Sequence, residues 1–222
     1  MEEHDRFESA DLNDFHHTES RQHGGKYTKK QERNPVNWKV SALQYLHDLT
    51  HLLAVIVIVF LVLLRIVVVS GTSMNDTLMD GDYLLLLGDI FYQQPQQGDI
   101  IVASISTFDN GAPIVKRVIA TEGQIVDIDF ESGTVFVDGE ALDEPYTKTL
   151  TTTFEGVKFP LFVEDGYLFV LGDNRNNSKD SRDPDIGLID KREVLGKVIF
   201  LFLPGTNKGQ VTPDFGRIGV IP

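Results

Sequence analysis

The 222-residue chain contains no cysteine. This absence excludes a disulfide framework, a zinc site built on cysteine, and a thiol nucleophile. Histidine is absent from most of the chain as well, because every histidine precedes residue 52: His4, His16, His17, His23, His47 and His51. A Ser-His-Asp triad and a histidine-rich metal site are therefore excluded from the part that follows. A serine nucleophile there needs a different base.

Positive charge is scarce. The formal net charge is -13 and the pI is near 4.8. Binding to a nucleic-acid backbone requires a basic surface that releases counterions, so we predict no nucleic-acid partner. The basic residues are also unevenly spread: none occurs between Ile66 and Val115, whereas Lys26, Lys29, Lys30, Arg33 and Lys39 shortly precede the apolar part of the chain.

The chain has one long apolar run. Residues 1–40 are polar and lack periodicity, which predicts a disordered cytoplasmic tail. The uninterrupted run at 52–64 is 13 residues long, shorter than the ~20 residues that a bilayer requires, but Leu46 and Leu49 extend it. We predict a transmembrane helix and its approach at 41–66, with Arg65 snorkelling at one interface.

Two other interpretations of this run exist. It could be a buried helix of a soluble protein, or a cleaved secretory signal peptide, although it begins far from Met1 and no convincing small-residue cleavage site follows. For a membrane helix, the basic residues before it predict a cytoplasmic N-terminus. The chain would then cross the cell membrane once, and everything after Ser70 would lie on the extracellular face.

Short apolar stretches separated by turn residues follow the helix and indicate β-strands. They lie at 83–87, 99–104, 113–120, 124–130, 134–139, 166–172 and 196–204. The fold class is therefore predicted to be mainly β. The Gly/Pro/Asp-containing tail after Pro204 is expected to be a loosely packed extension.

Ser73 lies in Ser-Gly-Thr-Ser, where strand-forming residues end close to the membrane exit. Glycine permits a sharp turn and the close approach of a substrate carbonyl. On this pattern alone, Ser73 could equally be an ordinary turn residue. Ser73 becomes a candidate nucleophile only if a general base lies close to its hydroxyl.

Lys116 is the candidate base. Strand alternation places it on one apolar face with Ile114, Val118 and Ala120. A lysine of ordinary pKa is neutral in roughly one molecule in 2,500 at pH 7, so burial has to lower its pKa. A depression of ~2 to 3 units costs about 3 to 4 kcal/mol. The alternative is a lysine that snorkels from a strand edge and is merely solvated.

Residues 172–187, GDNRNNSKDSRDPDIG, are dense in turn formers and charges directly after an apolar strand. They could form a solvated surface loop. A calcium loop is a further alternative, but the spacing lacks the glycine at the sixth position and the flanking helices of that motif.

In this order the segments resemble the conserved boxes of bacterial type I signal peptidases, in particular the shorter Gram-positive form with one N-terminal anchor. The resembling segments are residues 70–78, 98–102, 116–120 and 172–182, with 135–139 and Glu144-Pro145-Tyr146 similar to an intervening hairpin. Two positions depart from the family pattern. Asp76 stands where proline is usual, and Gly71 stands where some members have a serine that helps to bind the oxyanion.

The resemblance implies an antiparallel β catalytic domain with a small inserted β subdomain, preceded by one N-terminal transmembrane helix. Its implied parts are a catalytic core at 67–120 and 166–205, an insertion at 121–165, and a C-terminal extension at 206–222.

The resemblance also implies a Ser/Lys dyad without metal or cofactor, in which Lys116 accepts the proton of the Ser73 hydroxyl. The Ser73 N–H would be one oxyanion donor. Ser178 would hydrogen-bond to and orient Lys116. Asp180 would pair with both Arg182 and Arg117.

The implied substrates are preproteins whose signal peptides carry small side chains at positions -1 and -3 and bind as an added strand. The shallow pockets for these side chains are assigned to Met74, Val69, Leu84 and Val115. The implied partners are therefore signal peptides and the lipid bilayer, in proximity to the secretion translocon.

Two rival functions remain at this point. Self-cleaving SOS-type repressors share the implied fold and chemistry, but a DNA-binding module should then precede the domain. A non-catalytic, membrane-anchored β-module that binds extracellular partners is the alternative outside the enzymes, and Asp76 is the feature that favours it.

Overall fold

The computed structural model describes residues 38–206 and 212–221. Nearly all of the tail predicted at 1–40 lies outside these residues. The chain divides into two units, one ending at Leu46 and one beginning at His47.

Helix α1 spans Trp38–Leu63, and its 20-residue stretch Ser41–Phe60 is long and apolar enough to cross a membrane, with none of it buried. At 1.5 Å per residue this stretch spans about 30 Å, the thickness of a bilayer's hydrocarbon core.

The helix ends at Leu63, earlier than the predicted boundary at 66, and a strand begins at the next residue. The physical reason is local: Ile66, Val67 and Val68 are β-branched, and such residues favour extended backbone where a partner strand is available. Arg65 is therefore a strand residue, and its guanidinium lies 2.9 Å from a carboxylate oxygen of Asp89.

After the helix, the described residues form short strands, all paired antiparallel. The strands are β1 (Leu64–Val68), β2 (Tyr83–Gly88), β3 (Ile100–Ser104), β4 (Pro113–Thr121), β5 (Ile125–Asp129), β6 (Thr134–Val137), β7 (Glu140–Ala141), β8 (Leu161–Phe162), β9 (Tyr167–Leu171), β10 (Ile189–Asp190), β11 (Val194–Leu203) and β12 (Gly219–Val220). Short 3-10 turns occur at Asp109–Gly111, Arg175–Asn177, Lys191–Glu193 and Phe215–Arg217. The predicted fold class, mainly β after one apolar helix, is confirmed.

The strands of the described residues form two sheets. The main sheet has the order β1-β2-β11-β3-β4-β9-β10, with β12 paired to β11, and the small sheet has the order β7-β6-β5-β8. The small sheet lies within the segment predicted as an insertion. Strand β4 has a partner on each side, β3 and β9, so its side chains project from the interior of the main sheet rather than from an edge.

Within residues 38–206 and 212–221, three apolar clusters form the core. The first contains Met74, Leu78 and Leu84 beneath the segment that follows β1, and the second contains Ile101 and Val118. The third joins the two sheets, because Ile119 and Phe169 of the main sheet pack with Val126 and Val135 of the small sheet. Burial of this shared apolar surface holds the small sheet against β4 and β9.

The C-terminal segment is not loosely packed where the structure describes it, at 212–221. Strand β12 pairs with β11, Ile221 packs against the first cluster, and Arg217 forms an ion pair with buried Asp82. The expectation of a loose extension was wrong for two physical reasons. Burial of the apolar Ile221 side chain stabilises the docked segment, and the buried Asp82 carboxylate requires a cation, which Arg217 supplies.

Candidate active site

Ser73 and Lys116 are in contact, with the Lys116 Nζ 2.8 Å from the Ser73 Oγ. Ser73, the predicted nucleophile, belongs to residues 69–82 between β1 and β2, which we name the nucleophile loop after that prediction. The loop is closed at its base, where the Val69 N–H donates to the Asp82 carbonyl (2.8 Å) and the Gly81 N–H donates to the Val69 carbonyl (2.9 Å). Lys116 lies in the middle of β4, and its side chain reaches this loop at Ser73.

The backbone of the loop depends on Gly71. Its φ is +96°, in the region that other residues rarely adopt, and its N–H donates to the Asp80 Oδ1 at 2.8 Å. Farther along, the Leu78 N–H donates to the Met74 carbonyl at 2.8 Å. These internal bonds give Ser73 a defined direction.

Lys116 is only 4% exposed. Burial lowers its pKa from 10.5 to about 8, although the negative charges of Asp180, Glu155 and Asp173 oppose this shift. With a pKa of about 8, about one molecule in ten carries a neutral amine at pH 7, a far larger share than for an exposed lysine. The environment therefore supplies a usable base.

The surroundings of Lys116 in the sheet are largely as its sequence pattern predicts. Its cross-strand neighbour is Ile101, and Ile114 and Val118 pack in the same apolar cluster as Ile101. Ala120 is the exception and lies in the third cluster. A register shift in the β4–β9 pairing between Val118 and Ala120 breaks the alternation on which the prediction relied.

Arg117 pairs with Asp173 and not, as expected, with Asp180. Its Nε and Nη2 donate to the two carboxylate oxygens of Asp173 at 2.9 and 2.8 Å, and both side chains are buried. Its Nη1 donates to the Gly98 carbonyl at 2.8 Å. The reason is strand alternation, because consecutive residues of β4 point to opposite faces and so meet different carboxylates.

Asp180 and Arg182 form the other expected pair, with the Arg182 Nε 2.8 Å from the Asp180 Oδ1 and both side chains fully buried. Arg182 also lies 3.4 Å from Glu155. Burial, followed by the charge of Asp180, raises the pKa of Glu155 to about 7. The Asp180 Oδ2 additionally accepts the Gly172 N–H at 3.0 Å, which ties this ion pair to the segment beside Ser73.

Ser178 is buried close to the Ser73 main chain. Its Oγ donates a long hydrogen bond of 3.5 Å to the Lys179 carbonyl, and the expected bond to Lys116 is not formed among the residues that the structure describes. A Cβ added at Gly172 would lie 2.2 Å from the Ser178 Oγ and 2.5 Å from the Ser73 carbonyl oxygen. Gly172 thus permits the close approach of these two residues.

We expect Gly172→Ala to lower kcat at least about tenfold, because its new methyl group has to push away the Ser73 carbonyl and the Ser178 side chain, and small displacements at a reacting centre are costly. Steady-state cleavage of a peptide substrate measures this effect. Gly219→Ala is the matched control, since nothing lies within 4 Å of its added Cβ. Equal kcat in the two variants would contradict the tight packing described here.

Several residues that hold the loop were not identified from the sequence. The Asn174 N–H donates to the Ser73 carbonyl (2.9 Å) and its Nδ2 to the Thr72 carbonyl (3.0 Å). The Asn177 Nδ2 donates to the Thr72 Oγ1 at 2.9 Å. The many Asn and Asp residues after β9 are apparent in the sequence, but the sequence does not show which backbone groups their side chains bind.

A cavity of about 230 Å³ opens beside Ser73 and Lys116. Three of the expected pocket residues, Val69, Met74 and Val115, line it. Leu84 does not, because it is fully buried in the first core cluster, behind the cavity wall. The contact surface next to the serine is therefore small, with apolar walls beside the polar groups of Ser73 and Lys116.

A serine hydroxyl held against a buried lysine of lowered pKa is the arrangement of the Ser/Lys hydrolases, in which the amine activates the hydroxyl. In the described ranges 38–206 and 212–221, no three histidine or carboxylate side chains are grouped so as to hold a metal ion. Fold and site thus indicate the class of the Ser/Lys hydrolases.

The family follows from comparison with known proteins. The model of the family described as "Signal peptidase, peptidase S26" matches residues 42–203. The chain is 34% identical over 172 residues to a probable signal peptidase I-1 of Synechocystis sp., covering 72% of this chain and 84% of that protein. It is 37% identical over 144 residues to signal peptidase I of Bacillus licheniformis, covering 61% and 75%. The chain belongs to this family, and its activity is that of a signal peptidase I, a serine peptidase.

Among solved structures, the chain is similar to a crystal structure of a signal peptidase I from Enterococcus faecalis V583. The sequences are 31% identical, the similarity covers 47% of this chain and 97% of that chain, and the TM-score is 0.39.

Proposed function

We propose that Ser73 is the nucleophile and Lys116 the general base of this signal peptidase, which removes signal peptides from preproteins. The observation that carries the proposal is the 2.8 Å contact between the Ser73 Oγ and the buried Lys116 Nζ. The neutral amine accepts the hydroxyl proton as the Ser73 Oγ attacks the scissile carbonyl carbon. Collapse of the tetrahedral intermediate breaks the peptide bond, and the ammonium gives its proton to the leaving amine.

The second half of the reaction uses the same groups. Lys116, neutral again, accepts a proton from a water molecule that attacks the acyl-enzyme ester. The signal peptide then leaves with a free carboxylate, and Ser73 regains its proton. The backbone N–H of Ser73 is the proposed donor to the oxyanion, a role in which the loss of one donor costs about 3 to 4 kcal/mol of transition-state stabilisation.

The remaining site residues have supporting roles in this proposal. Arg117 and Asp173 link β4 to the loop that holds Ser73, and the ion pair of Asp180 and Arg182 fixes Gly172 beside it. For Ser178 to orient Lys116, as the family resemblance implies, its hydroxyl has to turn from the Lys179 carbonyl to the amine. The catalytic core at 67–120 and 166–205, with its insertion at 121–165 and the extension at 206–222, is the proposed domain plan.

The cavity beside Ser73 supports the proposed specificity. Val69, Met74 and Val115 form apolar walls suited to small side chains at -1 and -3 of an extended signal peptide. In this proposal a large side chain at -1 is rejected. The non-catalytic alternative gives no reason for a lysine buried at a cost against a serine hydroxyl.

We further propose that α1 anchors the enzyme in the cell membrane with its N-terminus in the cytoplasm. The basic residues before the helix favour this direction. The β-sheets then lie on the extracellular face, near the secretion translocon, where signal peptides are still held in the lipid bilayer. Sharing that bilayer raises the effective concentration of enzyme and substrate. No nucleic acid takes part.

The experiment that tests the function uses the full chain in phospholipid vesicles and a synthetic signal peptide with alanine at -1 and -3. We expect one cut directly after the -1 alanine, located by mass spectrometry. A matched peptide with tryptophan at -1 should resist. Failure to cut the alanine peptide, or equal cutting of both peptides, would contradict the proposed function.

A further inference from the structure

A basic side chain beyond the region that the family model matches reaches the nucleophile loop. The match ends at residue 203, whereas the side chain belongs to Arg217. Its Nη1 donates to the Asp82 Oδ1 at 3.0 Å, and its Nη2 donates to the Asp82 Oδ2 at 2.6 Å. The same Nη2 donates to the Thr77 carbonyl at 3.2 Å. One guanidinium thus holds two points of the loop that carries Ser73.

Asp82 is the residue that closes this loop. It is 0% exposed, and its carboxylate also accepts the N–H groups of Met79 (2.7 Å) and Gly205 (2.8 Å). A carboxylate removed from water needs a cation in good geometry, and the bidentate fork of an arginine provides it. Arg217 is itself largely buried, with its side chain 18% exposed.

Thr77 connects this contact to the strand of the base. Its hydroxyl donates to the Asp173 Oδ2 at 2.5 Å, and Asp173 is held by Arg117, the neighbour of Lys116 in β4. The loop is therefore held at Thr77 from two sides, through the carbonyl by Arg217 and through the hydroxyl by Asp173. A shift of either contact moves the loop relative to β4.

The segment that presents Arg217 is ordered by its own contacts. It ends a short turn at Phe215–Arg217, in which the Asp214 side chain accepts the Gly216 N–H at 2.9 Å. Strand β12 follows and pairs with β11, and Ile221 packs against the cluster that contains Met74. The guanidinium is thus placed by a docked element.

We propose that Arg217 is a positioning residue for catalysis, which fixes the nucleophile loop so that the Ser73 hydroxyl stays within reach of Lys116. This inference rests on the proposed function of Ser73 and Lys116. Arg217 does not line the cavity beside Ser73, so its loss should affect the chemical step and leave peptide binding unchanged. Misplacement of a reacting group by about 1 Å can cost about 100-fold in rate.

The test compares Arg217→Ala with wild type in the full chain in vesicles, using the alanine peptide described above. We expect kcat to fall at least about tenfold while KM changes less than about twofold. Millimolar guanidinium chloride should restore part of kcat by occupying the vacated position. Arg192→Ala is the matched control, since Arg192 is 88% exposed and pairs only with Asp190 in its own turn; its kcat should equal that of wild type.

Circular dichroism gives the folded fraction of each variant. Wild-type kcat per folded molecule in Arg217→Ala would overturn the proposal and leave the segment a purely stabilising role. If Arg217→Ala does not fold, Arg217→Lys carries the test, because it keeps the charge beside Asp82 and loses the bidentate fork. A folded lysine variant with unchanged kcat overturns the proposal, and one with reduced kcat supports it. Activity in Ser73→Ala would instead contradict the proposed nucleophile, so the two failures are distinguishable.

Discussion

Ser73→Ala should abolish signal-peptide cleavage, with kcat/KM lower by on the order of 10⁴- to 10⁶-fold. Without the hydroxyl no acyl-enzyme forms, and what remains is the weak effect of binding and oxyanion stabilisation. The fold should persist because Ser73 is only half-buried and its hydroxyl contacts Lys116 alone among the hydrogen bonds of the described chain. The measurement is the single-turnover rate on the alanine peptide with enzyme in excess.

Ser106→Ala is the matched control for this substitution. Ser106 is exposed, and its backbone N–H, not its hydroxyl, makes its hydrogen bond to Glu193. Wild-type activity is expected for it. A residual rate in Ser73→Ala within about 100-fold of wild type would show that a different group attacks the peptide bond.

Lys116→Met should remove cleavage at neutral pH and at the same time stabilise the fold. Methionine keeps the length of the side chain without its charge. The folded-state pKa of Lys116 is about 8, below its ordinary value of 10.5, so below pH 8 the folded protein holds a buried ammonium. A difference of this size corresponds to about 3 kcal/mol of lost stability, as an order of magnitude.

The direction of the pH effect follows from proton binding. Between pH 8 and 10.5 the unfolded chain binds more protons at this lysine than the folded chain, so the stability of wild type rises with pH across that window. The stability gained by Lys116→Met should therefore be largest at pH 7 and small at pH 10. Urea unfolding of both proteins at the two pH values measures it.

The activity of wild type should depend on the protonation state of Lys116. In kcat/KM measured against pH, the rate should rise through about pH 8 as the Lys116 amine loses its proton. Lys158→Met is the control, since Lys158 is exposed, and neither its activity nor its pH dependence should differ from wild type. A Lys116→Met enzyme that still cleaves at pH 7 would exclude this lysine as the base.

The sequence allowed the fold class and most strands to be predicted, because alternation of apolar residues and turn chemistry act over a few neighbouring residues. The end of the helix was predicted less accurately, at residue 66 instead of Leu63. The switch to β1 at Leu64 depends on pairing with β2, in which Val67 lies opposite Leu84. No local pattern contains that partner.

The same distinction applies to the site. With no histidine after residue 51, a serine there needed another base; the strand pattern made Lys116 a candidate, and the family resemblance paired it with Ser73. The Asp180–Arg182 pair was expected as well, but Arg117 was assigned to Asp180 and not to Asp173, because its partner depends on the face of β4 from which its side chain projects. Asn174 and Asn177 were unassigned for a similar reason.

By itself the sequence determined which chemistry was available: a serine, a lysine in an apolar strand, no imidazole and no thiol after the helix. Only the tertiary structure decided that the two groups lie 2.8 Å apart, that burial lowers the lysine pKa, and that Arg217 reaches back to the loop. Composition and periodicity are properties of neighbouring residues. Distances and desolvation arise only when segments distant in the chain exclude water from one another.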